Sequence, residues 1–428
     1  MVYFICVEKR ALSDNDKKEA FMIKLIRRIG PVGMMGIKVT ALGALFWFAW
    51  AFSGYQGVYL LNNGFSASQT GLLNAISFGV IIISVSFWGR ISDKIGSLKR
   101  VVFIILLFGA GLYALIPLIP LGKPYTPVLF FTIIPLMNFF KGPAGTMEEN
   151  LQVRNCNDLH LNYGLSRSAG SLFYTLGGLL AAFLLGKYIE VKDTFLLTFI
   201  LIIPVMVMVV FVREPHGRSK SSAKDAEDQS KVMMLFKNRK YTSFLIFALL
   251  FYTAYNCSNA FVPYYMESIG VDNSRLGFFL AYRAFLEMPL LLLMNRLRRK
   301  FSLTQLIIAG VVLIMVESLL LGSFVGSFFG IMAATTMYGL GNGLFIGTTL
   351  NYLYKLAPAA LRASAQAYFS AVSSVAGIAG NLLGGLLFDI VGAKPFYLVV
   401  SGIYLVSILV FALSSRIKKV ESPQVKAG

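Results

Sequence analysis

Residues 89–100 read Gly89-Arg90-Ile91-Ser92-Asp93-Lys94-Ile95-Gly96-Ser97-Leu98-Lys99-Arg100, and long apolar runs flank them at 69–90 and 100–120. A hydrocarbon core about 30 Å thick takes roughly 20 apolar residues of helix. The stretch therefore reads as a short basic reversal between two membrane-spanning helices. Gly89 and Gly96 give the backbone freedom for a tight turn. Asp93 is placed to face a helix N-terminus or a basic neighbour, and Lys94 and Arg100 set positive charge at one membrane face.

The same alternation of apolar run and polar break recurs along the chain. The runs fall at 38–62, 69–90, 100–120, 126–150, 163–187 and 193–212, then at 241–266, 274–295, 303–322, 327–355, 362–388 and 394–415. Lipid cannot satisfy open backbone groups, so runs of this length without period-two alternation are helices. The charged break at 213–240 is the longest. The expected organisation is an N-terminal segment 1–37, a first bundle 38–212, a linker 213–240, a second bundle 241–415 and a tail 416–428. The fold class is an all-α membrane protein with twelve transmembrane helices in two six-helix bundles. Residues 1–37 carry no signal-peptide pattern, and Met22 is an alternative start.

Composition excludes other classes. Hydrophobic residues make up 57% of the 428 residues and charged residues 14%, with a mean hydropathy of +0.70. A soluble domain carries about 25% charge, so a soluble enzyme, a disordered regulator and a secreted disulfide scaffold are ruled out. In a soluble protein the net charge of +19 would suggest nucleic acid as partner. Here Lys and Arg crowd the loops on the side of the termini, which predicts cytoplasmic termini in the cell membrane and no nucleic acid. His160 and His216, with Cys6, Cys156 and Cys257, are too scattered for a metal cluster, and no cofactor is expected. No G-x-x-x-x-G-K-[ST] loop is present, so any transport runs on a gradient.

The loop 89–96 fits G-x-x-x-D-[RK]-x-G, and Asn295-Arg296-Leu297-Arg298-Arg299-Lys300 is its degenerate counterpart in the second half. The fifth span opens Tyr163-Gly164-Leu165-Ser166-Arg167. The eighth holds Leu286-Glu287-Met288-Pro289, and the eleventh closes Gly384-Gly385-Leu386-Leu387-Phe388-Asp389. Over about 38–415 the chain resembles the major facilitator superfamily, in the branch of lactose permease, sugar-efflux permeases and nucleoside:proton symporters. The resemblance implies a central cavity exposed alternately to each side, a solute site near mid-membrane, and a monomer.

Charge inside hydrocarbon costs several kcal/mol and marks function or pairing. The roster is Lys141, Glu148 and Glu149 in the fourth span, Arg167 in the fifth, Arg283 and Glu287 in the eighth, and Glu317 in the ninth. Lys141 and Glu148 are seven apart and share a face on a regular helix. Arg283 and Glu287 are four apart and able to pair. Similarity to lactose permease makes Arg167 the solute-binding arginine and Tyr174 the stacking aromatic. Counting from Arg167 makes Glu149 its carboxylate partner, whereas counting from Pro143 lands on Thr146. The tenth span offers Asn342 and neither the histidine nor the acid of lactose permease. Any proton coupling then falls to Glu287 first and Glu317 second, with Arg283 as their partner. Tyr55, Asn259 and Asn342 are further cavity candidates for a neutral polyhydroxy solute. The expected function is secondary transport of a sugar or nucleoside by alternating access, coupled to protons. The alternatives are efflux of sugars or amphipathic drugs, and a non-transporting sensor.

Overall fold

The structure, a computed structural model, describes residues 14–161, 163–185, 187–215, 235–272, 275–358 and 361–415. Most of the linker 213–240 and the tail 416–428 lie outside the described residues, as do Cys6 and His216. The first half contains α1 (Asp14–Ala51), α2 (Gln56–Asn62), α3 (Ala67–Ile95), α4 (Leu98–Leu115), α5 (Thr126–Lys141), α6 (Ala144–Asp158), α7 (Tyr163–Leu184) and α8 (Asp193–Phe211). The second contains α9 (Arg239–Ala260), α10 (Val262–Ser268), α11 (Leu276–Lys300), α12 (Leu303–Ser323), α13 (Phe328–Leu356), α14 (Arg362–Val391) and α15 (Ala393–Ser415).

Three spans are broken. A short 3-10 turn at Phe52–Tyr55 joins α1 to α2, Gly142-Pro143 separates α5 from α6, and α9 and α10 meet at 47°. Ten described helices or joined segments are long and apolar enough to cross a membrane, and the bent α9–α10 pair makes eleven. The 22-residue α7, rich in Gly and Ser, brings the arrangement to the expected twelve.

Local chemistry sets the boundaries. Ser66 caps α3 and Ser302 caps α12, each in a reciprocal capping box with Gln69 or Gln305. The box satisfies two of the four amides a helix start leaves open. Gly96 ends α3 at φ 70°, a left-handed conformation that costs glycine nothing. Ser97 then caps α4. The reversal is thus made by Gly96 and Ser97. Gly89, expected to share in the turn, lies inside α3 instead, because the helix runs on to Ile95.

Packing repeats between the halves. In the first, α1 runs along α7 and α8, α4 packs between α5 and α8, and α3 lies on α5. In the second, α9 runs along α14 and α15, α12 packs between α13 and α15, and α11 lies on α13. Each contact maps onto its partner when six spans are added, which is the signature of an internal repeat. Outward faces carry Ile83, Phe108, Val210, Leu292 and Leu413 into the lipid zone.

The halves are joined by α3 on α14 and α7 on α11. Both contacts lie toward the end remote from the chain termini. Asp389 accepts from the Ala67 and Ser68 amides at 3.2 and 2.8 Å, so a carboxylate of α14 caps α3. Asn74 donates to Asn381 at 3.1 Å, and Thr70 bonds Tyr264 at 2.5 Å. A Cβ on Gly71 would run into the Asn381 carbonyl, and one on Gly385 into that of Ala67. These glycines are what lets the two backbones touch. Outside this clamp lies a hollow of about 1040 Å³ lined by Asn62, Lys187, Tyr188, Glu190, Lys192 and Asp272 among others. None of the candidate residues lines it.

Candidate functional site

On the first half, Arg167 Nε meets Glu149 Oε1 at 2.9 Å, and both side chains are more than a third exposed. The guanidinium lies over the Trp47 ring, 4.7 Å from its centroid. Trp47 stands edge-on to Tyr174 at 6.3 Å. The Tyr163 hydroxyl donates to Glu149 at 3.4 Å. Gly170 makes room for the indole, since a Cβ there would strike Trp47. Trp47 Nε1 is buried without a partner among the described residues, where most buried donors are paired. Of the two counts along the sequence, the one from Arg167 gives the acid that pairs with it.

On the second half, Arg283 is buried and fully engaged. Its Nε donates to Thr335 Oγ1 at 2.7 Å, its Nη1 to Asn259 Oδ1 at 2.5 Å and its Nη2 to Glu317 Oε1 at 2.5 Å. Thr335 donates to the same Glu317 oxygen at 2.7 Å. The rings of Tyr338 and Phe279 lie 3.7 and 4.2 Å from the guanidinium. The planar fork of arginine suits such a cage. The Arg283–Glu287 pairing allowed by helical spacing is not formed. Glu317 on α12 takes the arginine, because a buried tertiary partner outweighs an i,i+4 neighbour worth a few tenths of a kcal/mol. Glu287 instead accepts from Asn342 Nδ2 at 2.7 Å.

The two sets face each other. Tyr174 is within electrostatic reach of Glu287 and Tyr255, and Glu287 of both Arg167 and Arg283. Tyr255 accepts from the Tyr338 hydroxyl at 2.7 Å. Tyr55 is fully buried, and its hydroxyl, without a partner, lies against Gly277 where the halves meet.

Two further ionisable groups sit in the first half. Glu148 is 0% exposed and accepts from Gln152 Nε2, whose Oε1 accepts from Ser166 at 2.7 Å. Lys141 Nζ lies over Tyr113 at 4.0 Å and Trp50 at 5.0 Å, beside a small void lined by Gly109, Ala110 and Thr198. The regular-helix expectation that Lys141 and Glu148 share a face fails, because Gly142-Pro143 breaks the helix between them.

Beside the basic loop, the carboxylate at the α4 N-terminus belongs to Glu214. It accepts from Ser97 Oγ at 2.5 Å and the Leu98 amide at 2.8 Å. Asp93, Lys94 and Gly89 lie on α3, and the Arg100 amide donates to Ser97 Oγ at 3.3 Å. Sequence reasoning missed Trp47, Gln152, Thr335 and Glu214. An indole in a span reads first as belt or packing, and the other three matter only through contacts between helices.

Comparison with known proteins supports this architecture. The model of the MFS_1 like family matches residues 37–399. The maltose permease of Geobacillus stearothermophilus is 23% identical over 382 residues, 88% of this chain and 91% of that protein. The sucrose permease of Escherichia coli is 22% identical over 370 residues, covering 82% and 87%. Among solved structures, the nucleoside transporter NupG superposes with a TM-score of 0.75 at 16% identity, over 90% of this chain and all of the other. The peptide-transporter-family protein PepTSo gives 0.69 at 11%, over 90% and 98%. Likeness at such identities carries the fold alone. With the family model spanning both bundles and the site between them, the chain belongs to the MFS_1 like family of major facilitator transporters, integral membrane proteins that move small solutes.

Proposed function

We propose that this transporter takes up a small neutral polyhydroxy solute, a sugar before a nucleoside, together with protons. The observation that carries the reading is the half-exposed Arg167–Glu149 pair with Trp47 on the guanidinium and Tyr174 beside it. A carboxylate and a guanidinium bond vicinal hydroxyls in pairs, and aromatic faces pack on the C–H face of a ring. The names of the maltose and sucrose permeases point the same way. Across the cavity, Glu287 accepts from a neutral amide and is bonded to no cation among the described residues, which suits it to proton exchange. Glu317 is tied to Arg283 and Thr335 and ranks second. The transporter is read as a monomer in the cell membrane with cytoplasmic termini. The clamp at the remote end then makes this the inward-facing state.

The test is reconstitution in vesicles with an internal pH dye and a panel of neutral mono- and disaccharides and nucleosides. One panel member should acidify the lumen as it enters. Arg167→Ala should abolish that uptake while leaving expression and helical content unchanged. Silence across the panel, with labelled-solute flux also absent, rejects the polyol reading. Undiminished flux in R167A removes the arginine from the site.

A further inference from the structure

We propose that Glu148 is a proton-binding positioning residue, and that its protonation decides whether Arg167 stays with Glu149. The inference deepens the solute site proposed above and rests on that reading.

Glu148 is the most enclosed carboxyl of the first half, fully out of solvent. One oxygen meets Gln152, and the other, Oε2, is buried with no partner. Among the described residues no cation bonds it, and Arg167, which acts on it through space, is held by the adjacent Glu149. Isolated carboxylates are not stable in such surroundings, whereas a neutral acid with one amide partner is. The contrast with Glu317, the other fully buried acid, is direct: that residue has an arginine.

The groups facing Glu148 are few. Its own helix supplies Glu149 and Gln152, and α7 supplies Arg167 and Tyr163. From α1 comes Gly43 against Gln152, and α4 also packs on α6, its Val101, Val102 and Ile105 lying in the same apolar core as Met147 and Leu151. Lys141 on α5 turns to Tyr113 and Trp50. Among the described residues Arg167 is thus the one cation acting on Glu148, and two adjacent carboxyls compete for it. With Glu148 protonated, Arg167 pairs with Glu149 at the solute site, as here. When Glu148 loses its proton to water of the site, the new anion draws Arg167 inward, off Trp47 and away from the solute. The route is short: Gln152 joins Glu148 to Ser166, the residue preceding Arg167. A proton would thereby be linked to solute grip on the first half, independently of Glu287.

Trp47 reports the position of Arg167 without any solute. In a W50F/W88F background, its emission should show a pH transition as the guanidinium leaves the ring. The transition should be lost in E148Q and retained with a shifted midpoint in E148D, which keeps the acid. Infrared spectra of the same proteins should lose one protonated-carboxyl band in E148Q. A transition that persists in E148Q, or that vanishes equally in E148D, overturns the proposal. So does an unchanged carboxyl band. If the solute panel is silent while the Trp47 transition depends on Glu148, the transport reading fails and this one stands.

Discussion

Arg283 and Arg167 show how one residue type serves two ends. Arg167 sits half in water over one indole with one carboxylate. Arg283 is dry, with three hydrogen-bonded partners and two aromatic faces. Removing one member of a buried ion pair strands the other at a cost of about 3–5 kcal/mol. Arg283→Met should therefore lower the unfolding temperature in detergent sharply. R283M/E317M should recover much of the loss, because hydrophobic replacement of a whole buried pair is often neutral or better. A double variant as unstable as R283M would mean that Asn259 and Thr335, not Glu317, need the arginine.

The residues themselves were partly legible. Arg167 could be matched through the resemblance to lactose permease, which left Glu149 and Thr146 as alternatives for its partner; the ion pair formed is with Glu149. Which of Glu287 and Glu317 would take Arg283 could not be read, since that depends on how α11 is rotated against α12. Trp47 carried no signal that separates a cavity wall from a membrane belt. The loop offered Asp93 as an acid for a helix N-terminus or a basic neighbour, but gave no sign that Glu214, more than a hundred residues on, would cap α4.

At the scale of helices, the span pattern was readable because about 20 apolar residues in water-free surroundings leave no other structure. Breaks inside spans were less so. Gly142-Pro143 divides the fourth span, as a proline that withholds an amide should, but Pro135 and Pro204 lie within unbroken helices. The α3–α14 contact depends on missing side chains rather than on present ones. Gly71→Val places a branched side chain against the Asn381 carbonyl and should hold the two helices apart. In a cysteine-free background, the buried Ser77 replaced as S77C should then react faster with a membrane-impermeant thiol reagent. Equal labelling with and without G71V would show that the helices can close over the added bulk.

For the whole molecule, the repeated packing of six spans on six is the feature the sequence showed most faintly, through one loop motif and its degenerate copy. Structure makes it plain, because the main helix contacts recur with the offset of a half. The contacts between halves keep that equivalence in kind, α3 on α14 answering α11 on α7, and together they close one end. Asp389 is the clamp's only charged element among the bonds described above, seated on the α3 N-terminus, where a carboxylate is worth roughly 0.3–2 kcal/mol. Asp389→Asn keeps the shape and loses the charge. It should shift the distance distribution between spin labels at Tyr188 and Glu267 toward longer separations, with a population change of about two- to thirtyfold. An unmoved distribution would assign the closure to helix packing alone.

The clamp also sets a waiting time. Its handful of hydrogen bonds, each worth about 1 kcal/mol net, weights the closed arrangement by a factor on the order of a thousand. On the alternating-access reading, a solute arriving at the remote face would meet an entrance ajar for only a small fraction of each second. How fast the carrier fills from that side is then governed by how often the Asp389–α3 seam parts, whatever the grip of the site beyond it.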